Sequence, residues 1–168
     1  TRTLKQRQVA NHLFECESLS VFAEPSQDTP RIYETDQHVL GIFGSPIYEE
    51  VALERFGDLV WLLENLSTEI LKVDSSFLIF CFDKRQQILT IYTDRFGSII
   101  LFYFIRADLV ACSTNVIDLY KINKKLGIQN VSREAVFEYF WFRRLFGQKT
   151  YVDNIKVLPP ASICRFND

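Results

Sequence analysis

Three apolar runs separated by short polar segments are the feature that most constrains the fold of this chain. The runs occupy residues 76–83, 88–92 and 99–105. Their connections are too short for a crossover helix, so neighbouring runs are predicted to pair as antiparallel strands. Antiparallel strands with one wet face alternate apolar and polar residues, whereas these runs are apolar on both faces. Both faces of the predicted sheet must therefore be covered.

The segment between the second and third runs predicts a tight turn. It reads Asp94-Arg95-Phe96-Gly97, and glycine adopts the backbone conformations that such turns need. We therefore predict an antiparallel hairpin over residues 88–103, with a strand-end ion pair from Asp94 and Arg95. A general-base role for Asp94 is disfavoured, because no His or second carboxylate lies beside it in the sequence.

Helical patterns accompany the strands. Apolar residues recur at helical spacing over residues 48–66, and Gly57 divides that stretch into two predicted helices. Residues 116–120 predict a short helix followed by a loop over residues 121–130. Ser132 predicts the N-cap of an aromatic helix through residue 142, with Glu134 in its first turn. Further strands are predicted at residues 19–23, 31–35, 39–43, 109–113 and 162–166.

These elements predict an α+β fold, a four-layer α/β/β/α sandwich of two mostly antiparallel sheets with helices on the outer faces. A plain two-sheet β-sandwich is the alternative, and the helical segments disfavour it. The length of 168 residues fits a single domain over residues 1–168.

Charge and hydropathy exclude some partners. A net charge of −2 gives no basic surface for nucleic acid. Stacking of single-stranded nucleic acid on the aromatic helix, beside Arg143 and Arg144, is an alternative that this charge disfavours. No apolar run reaches the length of a membrane span and the first residues lack a signal peptide, so we expect no membrane contact and a cytoplasmic location.

The sequence predicts no metal site in this domain. The cysteines at positions 16, 81, 112 and 164 lie far apart and form no C-x-x-C pair. Cys81 and Cys112 fall inside apolar runs, which is typical of small buried hydrophobic residues. His12 and His38 are isolated in polar contexts and are expected at the surface rather than as ligands.

An ordered series of motifs resembles the N-terminal glutaminase domain of asparagine synthetases, a class II glutamine amidotransferase with the N-terminal nucleophile hydrolase fold. The strand ending in Phe82-Asp83, the Asp94-Arg95-Phe96-Gly97 step and Leu101-Phe102-Tyr103 are similar to the family's F-A-F-x-x-x-D and D-R-F-G-x-x-P-L-Y-Y series. Leu158-Pro159-Pro160 resembles its L-P-P-G segment. The resemblance covers residues 39 to the end and implies the same α/β/β/α sandwich.

The catalytic residues that this resemblance implies are missing. The family uses an N-terminal cysteine whose own amine acts as the base. Here the first residue is Thr1, which polar and basic residues follow, and Cys16 has no free amine. Gly44 is kept, but Phe43 stands at the oxyanion-hole Asn and Ser45 at the acidic residue of N-G-E-I-Y. No counterpart of S-D-T-E or of the early arginine is found. We therefore predict a degenerate glutamine pocket.

The resemblance implies a scaffold role. We expect the domain to support an ATP-dependent amide-forming synthetase of the asparagine synthetase, β-lactam synthetase or lasso-peptide cyclase type, as the N-terminal part of a longer protein. Its partner would be a C-terminal ATP-pyrophosphatase synthetase domain, the only part to require ATP and Mg. The aromatic helix is predicted to supply the docking surface or a homodimer contact. A stand-alone interaction or regulatory module, or an active amidotransferase whose nucleophile lies outside this sequence, are the alternatives.

Overall fold

The computed structural model describes residues 12–15, 20–22, 30–48, 51–52, 70–106, 109–127 and 130–167. In this part of the chain, every strand pair is antiparallel and two helices accompany the sheets, so the fold is α+β. The strands are β1 (His12–Glu15), β2 (Ser20–Phe22), β3 (Arg31–Glu34), β4 (His38–Gly44), β5 (Ile47–Tyr48), β6 (Val51–Ala52), β7 (Val73–Asp74), β8 (Phe77–Asp83), β9 (Ile88–Thr93), β10 (Phe102–Arg106), β11 (Leu109–Ser113), β12 (Lys156–Val157) and β13 (Ile163–Asn167), and the helices are α1 (Val116–Lys125) and α2 (Arg133–Phe142).

The chain divides into two compact units, Thr1–Ile99 with Pro160–Asp168 and Ile100–Pro159. The first unit contains a five-stranded sheet in the order β13-β9-β8-β4-β3 and two small sheets, β1-β2 and β6-β5-β7. The second contains a three-stranded sheet in the order β11-β10-β12 together with both helices. None of the described helices is long and apolar enough to cross a membrane.

The core of the first unit lies around β8. Four consecutive residues of this strand, at positions 77–80, are buried, and successive strand residues point to opposite faces of the sheet. Both faces are therefore covered, as the unbroken apolar run predicted. On one face Ile79 belongs to a buried cluster with Leu40, Ile42 and Tyr92. Each such side chain contributes about 1.5–3 kcal/mol when it leaves water.

The second unit has a smaller core formed by Phe104 of β10, Leu119 of α1 and Ile155. A buried polar pair lies in the same unit. The Asn123 amide donates to Asn154 Oδ1 at 2.9 Å and accepts from Asn154 Nδ2 at 3.1 Å. Because each side-chain amide donates to the oxygen of the other, the two hydrogen bonds offset part of the cost of burying Asn123.

The predicted hairpin over residues 88–103 is wrong. β9 pairs with β8 along one edge and with β13 along the other, so neither edge is open to β10. β10 pairs instead with β11 and β12. The Asp94-Arg95-Phe96-Gly97 turn thus joins strands of two different sheets.

Two helix predictions also need correction. The loop predicted over residues 121–130 is helical as far as Lys125, because Asn123 is buried one turn after Leu119 and the two lysines at positions 124 and 125 suit the C-terminal end of the helix dipole. The helix predicted over residues 48–66 does not begin at Tyr48, which pairs with Val51 in the β5–β6 hairpin. Residues 49–50 and 53–66 of that prediction lie outside the described residues.

Candidate functional site

The end of β4 carries the predicted pocket positions. Phe43 is half-buried and pairs with Leu78 of β8, while Gly44 is the last residue of the strand and has φ +78°. A Cβ atom at Gly44 would lie 2.1 Å from the backbone oxygen of Ser76. Only glycine therefore fits here, both for its backbone conformation and for the space around it.

The polar groups beside Gly44 are engaged by the fold. The Ser45 N–H donates to the Ser76 oxygen at 3.1 Å, and the Arg31 guanidinium donates to the Gly44 oxygen at 3.1 Å. Phe43 has no side-chain donor and Ser45 has no charge. This strand end therefore lacks the amide and carboxylate groups that would hold a glutamine substrate and stabilise its oxyanion.

Asp94 begins the turn after β9 and is only 2% exposed. Its carboxylate accepts from the N–H of Phe96 at 2.8 Å, from the N–H of Phe77 at 3.3 Å, and from both the N–H and the hydroxyl of Ser98 at 3.1–3.2 Å. The Asp94 backbone oxygen also accepts from Gly97 and Ala161. These bonds fix the turn to the start of β8 and to the segment before β13.

The hydrogen bonds set the charge state of Asp94. Burial by itself would raise the pKa of this carboxyl, but the N–H groups of Phe96, Ser98 and Phe77 favour the ionised form, and the pKa lies below its ordinary value. A carboxylate with a lowered pKa and occupied lone pairs is a weak proton acceptor. Its geometry is therefore that of a structural anchor and not of a general base.

The other three residues of the turn differ in their surroundings. Arg95 Nη2 lies 3.3 Å from Asp74 Oδ1, so the ion pair that we predicted with Asp94 is formed with Asp74 instead. Phe96 is 86% exposed. Gly97 has φ +62°, and a Cβ atom there would lie 3.1 Å from Pro160.

The structure brings the two predicted residue sets together. Gly44 and Ser45 lie against Ser76, and Asp94 is hydrogen-bonded to Phe77, the next residue along the chain. The pocket positions and the turn therefore meet at the start of β8, inside the first unit. This contact was not predictable from the sequence, because residues 43–45, 76–77 and 94–98 are far apart along the chain.

The thiols of Cys81 and Cys164 are poor nucleophiles. Burial, with a smaller contribution from the charge of Asp83, raises the pKa of Cys81 to about 12. Burial also raises the pKa of Cys164. Both groups stay protonated near neutral pH, and the thiolate is the reactive form of cysteine. Cys16 lies outside the described residues.

No group of three or more His, Cys, Asp and Glu side chains in the described part of the chain is arranged to hold a metal ion. His38 is half-buried and its Nε2 lies 3.7 Å from Asp83 Oδ2. His12 lies in β1.

The aromatic helix α2 is the most unusual surface of the second unit. Ser132 caps its N-terminus, and the Ser132 hydroxyl accepts from the Ala135 N–H at 3.3 Å, as predicted. Ala135 is its only fully buried residue. Phe137, Phe140 and Trp141 are exposed by 66%, 71% and 79%. We call these three side chains the aromatic face; their i, i+3, i+4 spacing places them side by side on the helix.

Charged contacts border the aromatic face of α2, because Glu134 and Glu138 lie at i, i+3 spacing from Phe137 and Trp141. Lys149 donates to Glu134 Oε1 at 2.6 Å and also to Glu138, whose other oxygen accepts from the Phe146 N–H at 3.2 Å. The hydrogen bonds to Glu134 and Glu138 raise the pKa of Lys149, and the Lys149 bond is the main cause of the lowered pKa of Glu138. These contacts occupy the acidic groups of the helix and leave the aromatic face open. Glu134 and Glu138, one turn apart, were the sequence signal for this cluster, and we did not predict it.

Two arginines, Arg143 and Arg144, directly follow the helix. Arg143 adopts φ +57°, which stops the helix, and its N–H donates to the Tyr139 oxygen at 2.9 Å. The Arg144 guanidinium lies 4.6 Å from the centre of the Phe146 ring. Phe142 meets the same ring edge-on, with 5.2 Å between ring centres. The helix was predicted to supply a docking surface or a homodimer contact, and its aromatic face is exposed.

Comparison with models of known protein families and with curated proteins finds no match for this chain. The resemblance to the glutaminase domain of asparagine synthetases therefore remains a prediction from its motifs.

Proposed function

We propose that this chain is a glutaminase-like domain that has lost its catalytic groups and acts as a scaffold for an ATP-dependent amide-forming synthetase. The observation that carries the proposal is the hydrogen bonding at the start of β8. There the Ser45 N–H and the Asp94 carboxylate are both engaged by backbone groups, and Phe43 replaces a donor side chain. This strand end therefore lacks groups suited to amide hydrolysis.

The proposed architecture is the four-layer α/β/β/α sandwich of this family. Two observations support it, each within one unit. The five-stranded sheet is covered on both faces at β8. In the second unit, α1 packs against β10 and β11. A sheet that carries a helix on one face, and another that is buried on both, are the components from which such a sandwich is built.

The scaffold role is assigned to the aromatic face of α2. Three neighbouring aromatic side chains, each more than 65% exposed, form the kind of patch that marks protein contacts in soluble proteins. Aromatic residues are also enriched among the side chains that dominate binding energy at interfaces. In the proposal this face contacts the synthetase domain, which holds ATP and Mg and joins a carboxylate to an amine.

A stand-alone interaction module is the second candidate, and the same aromatic face favours it. The two differ in whether a ligase is encoded with this domain. Sequencing the gene beyond the codon for Asp168 separates them. A pyrophosphate-binding S-G-G-x-D-S motif there is expected from the scaffold proposal, and a stop codon directly after Asp168 would exclude an attached ligase.

A further inference from the structure

The two units of the chain carry opposite charge. The second unit, Ile100–Pro159, has nine Lys and Arg against five Asp and Glu. The remaining residues have ten Lys and Arg against sixteen Asp and Glu. The second unit is therefore cationic although the whole chain has a net charge of −2, and this unit carries the aromatic face.

Two cationic groups, Arg143 and Arg144, directly follow the aromatic helix. Among the described residues neither forms an ion pair, and the two carboxylates of α2, Glu134 and Glu138, are bound to Lys149. Arg144 is held in place by stacking on Phe146. A guanidinium that is already positioned loses less side-chain freedom when it binds a carboxylate, and its planar donors match that group.

We propose that the aromatic face, together with Arg143 and Arg144, binds an acidic amphipathic segment of a partner polypeptide. Apolar side chains of the segment would cover Phe137, Phe140 and Trp141, and its carboxylates would meet the two arginines. This inference rests on the proposed docking role of α2, and it adds the chemistry of the partner. Under the proposed function, the segment belongs to the synthetase domain.

The charge distribution favours a protein partner over a membrane. Helices that lie on anionic membranes carry Lys and Arg along their whole polar face. Among the described residues, the unpaired cations lie at the two ends of α2, Arg133 at its start and Arg143 and Arg144 directly after it, while Glu134 and Glu138 lie between them and bind Lys149. Cations confined to the ends of the helix fit a segment with localised acidic groups.

Two synthetic peptides of equal length test the proposal. Both carry leucine at i, i+3, i+4 and i+7, with glutamate at the remaining positions in one and lysine in the other. We expect the full chain to bind the glutamate peptide about tenfold more tightly than the lysine peptide at low salt, with the preference shrinking as salt is raised. Titration by fluorescence anisotropy measures both affinities.

Two double variants that each remove two positive charges test whether Arg143 and Arg144 cause the preference for the glutamate peptide. Arg143→Gln with Arg144→Gln should bring the affinity ratio close to one, whereas Lys124→Gln with Lys125→Gln on α1 should leave it unchanged. If the ratio is unaffected by the arginine substitutions but Phe140→Ser with Trp141→Ser abolishes binding, α2 docks a partner and the acidic preference is wrong. Unchanged binding by the serine variant contradicts the docking role itself. Tighter association with phosphatidylserine vesicles than with either peptide would overturn the proposal in favour of a membrane surface.

Discussion

Asp94 accepts hydrogen bonds from three backbone N–H groups, those of Phe77, Phe96 and Ser98. Phe96 and Ser98 lie in the turn after β9 and Phe77 is the first residue of β8, so a single side chain fixes this turn to the start of β8. A charged acceptor in a buried position makes strong hydrogen bonds, and its removal leaves several donors unpaired. At the scale of residues, Asp94 therefore stabilises the fold.

Replacing Asp94 with alanine should destabilise the protein by about 2–4 kcal/mol, because buried N–H groups lose their acceptor. Urea denaturation followed by circular dichroism measures the change. The exposed Asp36→Ala is the matched control and should stay within about 0.5 kcal/mol of the parent protein. Equal stability of the Asp94→Ala and Asp36→Ala variants would contradict the structural role of Asp94.

The lowered pKa of Asp94 also gives stability a defined dependence on pH. The unfolded chain has the ordinary, higher pKa, so the stabilising contribution is fully present above that value. It is lost as the pH falls through the lower pKa of the folded state. Asp94→Asn removes this titration, so its free energy of unfolding should fall less steeply with acid than that of the parent protein. Parallel curves across the acid range would contradict the assignment.

Gly44 and Gly127 provide a matched pair of glycines. Both have positive φ, +78° and +77°, but only Gly44 lies against a backbone oxygen, while space is open at Gly127. Gly127→Ala should cost about 1 kcal/mol, the usual cost of the left-handed conformation. Gly44→Ala should cost more, by about 2 kcal/mol or above, since the new methyl group collides with Ser76. Thermal or urea denaturation compares the stability of the two variants. Equal losses of stability would contradict the predicted collision between the new methyl group and Ser76.

The two sides of α2 differ in what they contribute. Ala135 is fully buried against the second unit, whereas Phe140 and Trp141 are exposed. Packing stabilises the helix through its small buried side, and the large side chains add little to the free energy of unfolding. At the scale of elements, α2 is held by one side and leaves the other available.

Substitutions on the two sides of α2 should therefore separate stability from surface properties. Phe140→Ser with Trp141→Ser should change the free energy of unfolding, measured by urea denaturation, by no more than about 0.5 kcal/mol per site. Ala135→Leu should destabilise by about 1–3 kcal/mol through overpacking. A large loss of stability in the serine variant would mean that the aromatic face is part of the core.

Elements with a clear local pattern were predictable from the sequence. β8, β9, β11 and β13 agree with their predicted bounds within one residue, because each is a compact apolar or alternating run. The Ser132 cap was predictable from local chemistry. The antiparallel pairing of β8 with β9 was also predictable, from their short connection. The second partner of β9 was not, because β13 follows about seventy residues later and no local pattern in the sequence indicates this pairing. The exposure of the aromatic helix likewise depends on packing that a helical pattern does not encode.

At the scale of the molecule, the chain combines an acidic unit that contains residues 43–45 and 94–97 with a basic unit that carries the aromatic face. The sequence predicted a degenerate glutamine pocket at residues 43–45, since Phe43 and Ser45 replace the groups that the resemblance implies. The engaged hydrogen-bonding groups around Gly44 and Asp94 support the same proposal from the structure. A scaffold without glutamine chemistry is the function most consistent with both.

Glutamine turnover tests this central claim most directly. The intact gene product is incubated with glutamine and the released ammonia is measured, with an active class II amidotransferase and a heat-denatured sample as controls. We expect no ammonia above the denatured blank, because the thiols of Cys81 and Cys164 stay protonated and Phe43 offers no side-chain donor for an oxyanion. Steady release of ammonia in proportion to the amount of folded protein would contradict the proposal.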